Sequence, residues 1–141
     1  HVEHINRYKM KKLRIIIERG NDLFAAYAEN CEGVYGEGYS VEEAKASALK
    51  GLEFLVNNND PKNLPSILNS EYEIVYRFDV ESFLNYYRGI FTNAALERIT
   101  GINQRQIQHY ASGESKPRRQ QIEKIQEGLH RLGQELTALE L

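Results

Sequence analysis

The sequence predicts an α+β protein in which a β-β-β-α-β unit is followed by an all-α unit. Short runs of β-branched and aromatic residues, bounded by turn-forming residues, fill most of the first half of the chain. One amphipathic segment interrupts them at residues 41–55, and beyond residue 80 the apolar residues recur with helical spacing. We therefore predict two domains, over residues 10–79 and 80–141, with a junction near Asp79.

Four strands and one helix make up the predicted N-terminal domain. The strands fall at residues 13–18, 23–28, 34–38 and 72–78, and Gly20-Asn21-Asp22 forms the first turn. The helix opens with Ser40-Val41-Glu42-Glu43, a capping box whose hydroxyl and carboxylate satisfy free backbone N–H groups. It stops near residues 57–61, and its apolar face consists of Val41, Ala44, Ala48, Leu52 and Leu55.

Composition excludes several classes of protein. No apolar run approaches the roughly 20 residues that cross a bilayer, and no basic-then-apolar signal segment opens the chain. Cys31 is the only cysteine, which excludes an intramolecular disulfide and a cysteine-rich zinc site and favours a reducing, cytoplasmic setting. The histidines have no zinc-binding spacing, so we expect neither a metal nor a cofactor at His4, His109 and His130.

The first nine residues are not expected to belong to the fold. They show no clean periodicity, and a protein rarely begins with His. We interpret Met10 as the natural start and residues 1–9 as an upstream or non-native extension.

Charge is distributed unevenly along the chain. The formal net charge is −2, with 11 Lys/Arg and 14 Asp/Glu in residues 1–91 and 7 Lys/Arg and 6 Asp/Glu in residues 92–141. Within residues 103–120, Glu114 is the only acid, and four bases accompany it: Arg105, Lys116, Arg118 and Arg119. A basic patch on a mildly acidic chain indicates one localised anionic partner.

Residues 92–117 have the pattern of a helix-turn-helix unit, with helices expected at residues 93–100 and 104–112. Caps and turns are supplied by Thr92, Gly101, Asn103 and Gly113. The residues expected to face inward are Leu96, Ile99, Ile102, Ile107 and Tyr110. Pro117 prevents the second helix from resuming at once.

The second helix of this unit carries side chains suited to reading bases in the DNA major groove. Five of them occupy its N-terminal turns, the part that a recognition helix presents: Gln104, Arg105, Gln106, Gln108 and His109. Gln can pair bidentately with adenine, and Arg with guanine. Phosphate contacts are expected from Asn93, Asn103, Lys116, Arg118 and Arg119.

A plain helical hairpin with a solvated polar face is the alternative interpretation of these residues. Helix–Gly–helix patterns are common, but an acid-poor and amide-rich second helix favours DNA binding. Glu97 stands four residues before Gly101, where helix-turn-helix units usually have a small residue that lets the two helices approach.

Apolar residues near the C-terminus form a heptad stripe. The stripe consists of Ile122, Ile125, Leu129, Leu132, Leu136 and Leu139. It predicts a homodimer, which could pair again into a tetramer, and two-fold pairing suits a reader of palindromic DNA. The alternative is that this helix packs its stripe on its own domain.

Two groups of motifs resemble the HicB antitoxins, in the form with a C-terminal helix-turn-helix. The first group is Tyr27-Ala28, then Gly33-Val34-Tyr35-Gly36-Glu37-Gly38, then Ser40-Val41-Glu42-Glu43-Ala44. The second group is similar to phage-repressor-type units and comprises Gly101-Ile102-Asn103-Gln104, Tyr110-Ala111-Ser112-Gly113 and Lys116-Pro117. The resemblance covers nearly all of residues 11–141.

The resemblance implies a fold and a function that composition does not reveal. It implies that residues 10–79 form a partial, catalytically empty RNase H-like domain that binds a toxin. That toxin would be a HicA-like protein that cleaves messenger RNA. It further implies that residues 80–141 bind the operator DNA of the chain's own operon and dimerise.

Two other functions remain open at this point. A nuclease would need several carboxylates that converge on a metal, but no fixed spacing links the available acids, Glu18, Glu43 and Asp79. We therefore expect no enzyme activity and no catalytic residue. A ligand-responsive repressor, with a sensor as its N-terminal domain, is the second alternative.

Overall fold

The computed structural model describes residues 10–141, and the extension proposed for residues 1–9, with His4, lies outside the described part. The chain divides into two compact units, one ending at Phe78 and the other spanning Asp79–Leu141. Within the described residues there are one four-stranded mixed sheet and five α-helices. The α+β prediction is therefore confirmed.

The sheet of the N-terminal unit has the strand order β3-β2-β1-β4. Its strands are β1 (Lys11–Arg19), β2 (Phe24–Ala28), β3 (Tyr35–Gly38) and β4 (Tyr72–Phe78). Strand β1 pairs antiparallel with β2 and parallel with β4, while β2 pairs antiparallel with β3. The parallel pair follows from the helical crossover between β3 and β4, which returns the chain to the starting end of β1.

Two predicted strands begin one residue later than the sequence suggested. Leu23 belongs to the turn before β2, because its carbonyl oxygen accepts a hydrogen bond from the Gly20 N–H at 2.8 Å. Val34 precedes β3 and is buried, with its carbonyl oxygen accepting from the Ala28 N–H at 3.0 Å. Both residues therefore belong to turns and do not extend strands β2 and β3.

Helix α1 (Val41–Asn57) covers one face of this sheet. Alternate residues of β1 point to that face and are fully buried: Leu13, Ile15 and Ile17. The helix approaches β3 most closely at Gly36, where a Cβ atom would overlap the backbone nitrogen of Ala48. Glycine in β3 is thus required by close contact between the helix and the strand.

The capping box at the start of α1 forms with one difference from the prediction. The Ser40 Oγ accepts a hydrogen bond from the Glu43 N–H at 3.1 Å, as expected. The Glu43 carboxylate bonds to the Tyr39 N–H at 2.8 Å, one residue before the cap. The bond to Ser40 satisfies a donor of the first turn that the helix itself leaves free, and the bond from Tyr39 ties the preceding residue to the helix.

The C-terminal unit contains four helices, α2 (Val80–Tyr86), α3 (Asn93–Thr100), α4 (Gln104–Ser112) and α5 (Arg119–Thr137). Helix α2 begins at Val80 because Asp79 caps it, accepting from the Ser82 N–H at 2.7 Å. Its α-helical part ends at Tyr86, and a 3-10 turn follows from Tyr87 to Gly89.

The core of the C-terminal unit joins all four helices. It consists of Leu84, Leu96, Ile102, Ile107, Tyr110, Ala111 and Ile125. Ile102, which the sequence placed between two helices, is buried there. The hydroxyl of Thr100 supports it, donating to the Leu96 carbonyl at 2.7 Å and accepting from the Ile102 N–H at 3.1 Å.

The C-terminal stripe of apolar residues does not form one continuous exposed seam. Ile125 is only 5% exposed and Leu129 packs against the same core, so both are core residues, which corrects their assignment to a dimer interface. Helix α5 ends at Thr137, so Leu139 is not on its heptad stripe. The exposed part of the stripe is Ile122 and Leu136, with Leu132 half-buried.

Candidate nucleic-acid interface

Helices α3 and α4 are joined by the three residues 101–103. Gly101 has φ of +78° and its N–H donates to the Glu97 carbonyl at 2.7 Å, ending α3 in a left-handed turn that favours glycine. Thr92 caps α3 by accepting from the Ala95 N–H at 3.0 Å. Asn103 caps α4 in the same way, through the Arg105 N–H at 2.8 Å.

Helix α4 has an apolar face and a polar face. Ile107, Tyr110 and Ala111 are buried in the core. At helical spacing the direction opposite to them is that of Arg105, which is exposed and flanked by exposed Gln104 and Gln108. The helix contains no acidic residue. Its outward face therefore presents amides and one guanidinium.

Gln104 is held by Glu97 of the preceding helix. One oxygen of Glu97, Oε2, accepts from both the backbone N–H and the side-chain Nε2 of Gln104, each at 3.3 Å. The half-buried Glu97 thus sits over the start of α4 and satisfies a backbone donor that the helix leaves free. The large residue at this position is accommodated by a polar contact across the turn.

Gln108 is held by Asn93, the first residue of α3. The Asn93 Nδ2 donates to the Gln108 Oε1 at 2.9 Å. The amide group of Asn93, which the sequence assigned to phosphate, therefore supports a neighbouring side chain on α4. Helical periodicity does not indicate a contact between side chains 15 residues apart. The sequence therefore pointed to both residues but not to the hydrogen bond between them.

Gln106 and His109 point toward the segment that follows α4. Gln106 Nε2 donates to Ser115 Oγ at 2.9 Å, in a partly buried contact. This contact takes Gln106 away from the centre of the polar face, where the sequence placed it. His109 Nε2 lies 3.2 Å from a carboxylate oxygen of Glu114, so its predicted contact with DNA would compete with an acidic neighbour.

Three exposed cations follow α4: Lys116, Arg118 and Arg119. Arg118 precedes α5 as its N-cap residue, with no capping bond from its side chain. Arg119 lies 3.3 Å from Glu123 one turn later, an exposed pair that contributes little stability. On α4 itself, the guanidinium of Arg105 makes no hydrogen bond or ion pair within residues 10–141.

The face of the sheet that α1 leaves open carries paired charges and tyrosines. Glu29 bridges Arg14 and Arg77 at 3.3 Å each. Tyr27 donates to Glu18 at 2.8 Å, and the accepting carboxylate raises the pKa of Tyr27.

Tyr35, on edge strand β3, forms a similar pair on this open face. Its hydroxyl donates to Glu37 at 2.6 Å, which likewise raises the pKa of Tyr35. Tyr27 and Glu18 come from neighbouring strands, and Tyr35 and Glu37 from alternate positions of one strand. The two pairs therefore form an ordered polar surface on the open face of the sheet.

The acids that the enzyme alternative would need have structural roles. Glu43 and Asp79 cap helices, and Glu18 accepts from Tyr27. No group of three or more potential metal-ligating side chains occurs in residues 10–141. Cys31 is 4% exposed, and burial raises the pKa of its thiol.

A shallow depression of about 360 Å³ lies beside the turn between β1 and β2. It is lined by polar and aromatic side chains that include Glu18, Asp22, Phe24, Tyr35 and Glu37. This is the feature that a ligand-sensing N-terminal domain would use.

Comparison of the chain with protein-family models, with curated proteins and with solved structures finds no match in any of the three. No helix within residues 10–141 combines the length and the apolar character needed to span a bilayer.

Proposed function

We propose that this chain is a HicB-type antitoxin that also represses its own operon. In this proposal α3 and α4 form a phage-repressor-like helix-turn-helix, and α4 enters the major groove of operator DNA. The N-terminal unit is a partial RNase H-like domain without catalytic activity, and it binds and neutralises a HicA-like toxin. The observation that supports DNA binding most strongly is the outward face of α4, which contains no acidic residue.

The charge and shape of that face support DNA binding. Arg105 is exposed, central and unpaired within residues 10–141, and a guanidinium can bond bidentately to guanine O6 and N7. Lys116, Arg118 and Arg119 add positive charge next to the end of α4, where they would contact phosphates. The caps at Thr92 and Asn103 fix both helices, so the face is preorganised.

The toxin-binding part depends on the resemblance to the HicB antitoxins. The motifs that carry it lie in β2, β3 and α1 of the N-terminal unit. The open face of the sheet is available for a protein partner, with Ile16, Tyr27 and Tyr35 among paired charges. Residues 10–78 contain 8 Lys/Arg and 11 Asp/Glu, which favours a basic partner.

Self-association is proposed through the exposed part of the α5 stripe. Ile122 and Leu136 are 41% and 58% exposed, and Leu132 is half-buried beside them. A second copy of α5 would cover these side chains. A two-fold dimer would also double the number of bases read.

The DNA-binding proposal is tested by a mobility-shift assay with the duplex upstream of the chain's own reading frame. We expect a shift at submicromolar protein that persists against excess unrelated duplex, and we expect Arg105→Ala to need a higher protein concentration for the same shift. If unrelated duplex competes for the chain as well as the upstream duplex does, the chain does not read a specific sequence. That result would favour the plain helical hairpin.

The antitoxin proposal is tested by co-expression with a HicA-like toxin, taken from the reading frame next to this chain if that frame encodes a small basic protein. We expect the wild-type chain to restore growth and to co-purify with the toxin. Arg105→Ala should restore growth equally well, because the variant changes only the DNA-reading face. Failure of the wild-type chain to restore growth would contradict neutralisation without affecting the DNA-binding result.

The depression beside the β1–β2 turn favours one second candidate, a ligand-responsive repressor. In that case a small molecule, not a protein, would occupy the N-terminal unit. A change in operator affinity on adding small-molecule extract, with no protein partner bound, would support this candidate over the antitoxin.

A further inference from the structure

We propose that strand β4 pairs antiparallel with β4 of a second copy of this chain, about a two-fold axis at Val75. The sheets of two N-terminal units then form one continuous sheet. This inference goes beyond the proposed function, because it depends on neither DNA binding nor toxin binding. It supplies a self-contact in addition to the one proposed for α5.

The two edges of the sheet differ in their protection against pairing. Strand β3, at one edge, has only four residues and includes Gly36 and Gly38, which weakens it as a partner. Strand β4, at the other edge, has seven residues with neither Gly nor Pro, and its register with β1 is unbroken. No strand within residues 10–141 pairs with its outer side. A long, regular edge of this kind is a surface to which another strand can add.

Every second residue of β4 directs its backbone N–H and C=O groups outward. The carbonyl oxygen of Glu71, just before the strand, accepts from the Lys11 N–H of β1 at 3.3 Å. Alternate residues of a strand face opposite neighbours, so Glu73, Val75 and Arg77 also bond toward β1. The outward groups therefore belong to the other four residues: Tyr72, Ile74, Tyr76 and Phe78.

The charges of β4 are self-complementary when two copies run antiparallel. With Val75 on the two-fold axis, Glu73 of each copy lies opposite Arg77 of the other. Both side chains belong to the open face of the sheet, because their register partners on β1 point away from α1. The side chain of Arg77 is 53% exposed beside Glu29, and a guanidinium has donors for two carboxylates. Exposed ion pairs add little affinity, but they favour one register over others.

The other face of β4 supplies the apolar part of the contact. Ile74 lies opposite Tyr76 of the second copy, and Tyr72 lies opposite Phe78. All four side chains are only partly buried in one chain, and Lys45 of α1 supports Tyr76 with its Nζ 4.2 Å from the ring centroid. These four residues also carry the outward backbone groups, so each pair exchanges two backbone hydrogen bonds.

Neighbouring registers fit less well. Moving the axis by one residue shifts the register by two, the smallest step that keeps the outward backbone groups facing each other. An axis at Tyr76 brings Glu73 opposite Asp79 of the second copy, which places two acids together. An axis at Ile74 leaves Glu73 opposite Val75. Only the axis at Val75 gives both charged residues of the strand an opposite charge.

The first experiment measures self-association of the full chain by sedimentation equilibrium, in the presence of Leu136→Asp so that α5 does not contribute. One pair of strands is a small contact, so we expect association only at high micromolar protein. Glu73→Arg or Arg77→Glu places like charges opposite each other twice and should raise the dissociation constant about tenfold. The double variant restores opposite charges and should return the constant to within about threefold of the parent value.

Rescue by the double variant can arise only between copies. Glu73 and Arg77 are four residues apart on one strand, so their Cα atoms are separated by about 13 Å. Within one chain the double variant still leaves Glu29 facing an acid at position 77. A purely structural role would therefore not be rescued.

A disulfide tests the register without reversing a charge. The two Val75 residues form a pair without mutual backbone hydrogen bonds, with Cα atoms about 4.5 Å apart, which a disulfide can span. Val75→Cys should therefore give a covalent dimer with oxidised glutathione, while native Cys31 is buried. The matched control is Glu73→Cys on the same face, whose two copies lie about 13 Å apart.

Rescue by the double variant and faster crosslinking of Val75→Cys than of Glu73→Cys would support self-pairing of β4. Absence of association at millimolar protein, no rescue, or equal crosslinking of the two cysteine variants would overturn it. Protection of β4 amides from hydrogen exchange only after a toxin is added would assign this edge to a partner protein and also overturn it. The tests of DNA binding and of toxin neutralisation are unaffected by any of these results.

Discussion

Gly128 of α5 lies so close to Ile99 of α3 that a Cβ atom on Gly128 would stand 2.7 Å from the Ile99 carbonyl oxygen. The guanidinium of Arg131 donates to the same oxygen at 3.3 Å, one turn further along α5. Helix α5 therefore crosses the end of α3 with its backbone in close contact. This contact fixes the helix that precedes the 101–103 turn.

We expect Gly128→Ala to destabilise the C-terminal unit. Overpacking against a backbone atom costs about 1–3 kcal/mol, which outweighs the gain of about 1 kcal/mol that alanine offers inside a helix. The matched control is Gly133→Ala in the same helix, where nothing lies within 4 Å of the added Cβ. Gly133→Ala should raise the free energy of unfolding in urea titrations. Equal effects of the two substitutions would contradict the close crossing.

Arg105→Ala should weaken binding to the preferred duplex by about 1–3 kcal/mol and relax discrimination at one base position. The reason is that Arg105 is exposed, unpaired within residues 10–141 and opposite the buried face of α4. Lys116→Ala should instead weaken binding to all sequences alike and lower the salt dependence by about one counterion. Fluorescence anisotropy at several salt concentrations separates the two results, and identical behaviour would remove Arg105 from base reading.

Leu136→Asp should convert the proposed dimer to a monomer without loss of folding. Leu136 is 58% exposed, so the charge stays in water in the monomer but would be buried by a second copy of α5. Leu129→Asp is the contrasting variant and should unfold the unit, because Leu129 packs against the core. Light scattering and circular dichroism provide the two measurements. If Leu136→Asp stays folded and light scattering gives it the same mass as the wild type, any contact between two copies of the chain does not involve Leu136.

Alkaline pH should reduce the contribution of Tyr27 to stability. Glu18 accepts its hydrogen bond and raises its pKa, so the folded state holds the phenolic proton more tightly than the unfolded state. Stability gained this way is fully present below the unfolded pKa of about 10 and is lost as pH rises through the folded pKa. Tyr27→Phe should therefore weaken the dependence of unfolding on pH above 10.

Tyr39→Phe is the control for this measurement. Tyr39 is exposed, and its hydroxyl makes no hydrogen bond within the described part of the chain. We expect the pH dependence of unfolding in Tyr39→Phe to match that of the wild type. Equal pH dependence in Tyr27→Phe and in the wild type would show that the pair with Glu18 does not contribute.

Elements with strong local signals were predictable from the sequence. The capping residues Ser40 and Thr92 and the positive-φ position Gly101 depend on neighbours within four residues. The α+β division follows from a change in apolar periodicity near Asp79, where the compact units also separate. The exposed and buried faces of α4 follow from helical spacing in the same way.

Contacts between elements were decided by the tertiary structure alone. The pairs Glu97–Gln104 and Asn93–Gln108 join residues of two helices, and their geometry depends on how the 101–103 turn places those helices. The heptad pattern could not show that Ile125 and Leu129 are covered within one chain while Leu136 is exposed. Periodicity specifies which face of a helix is apolar, but only packing specifies what covers that face.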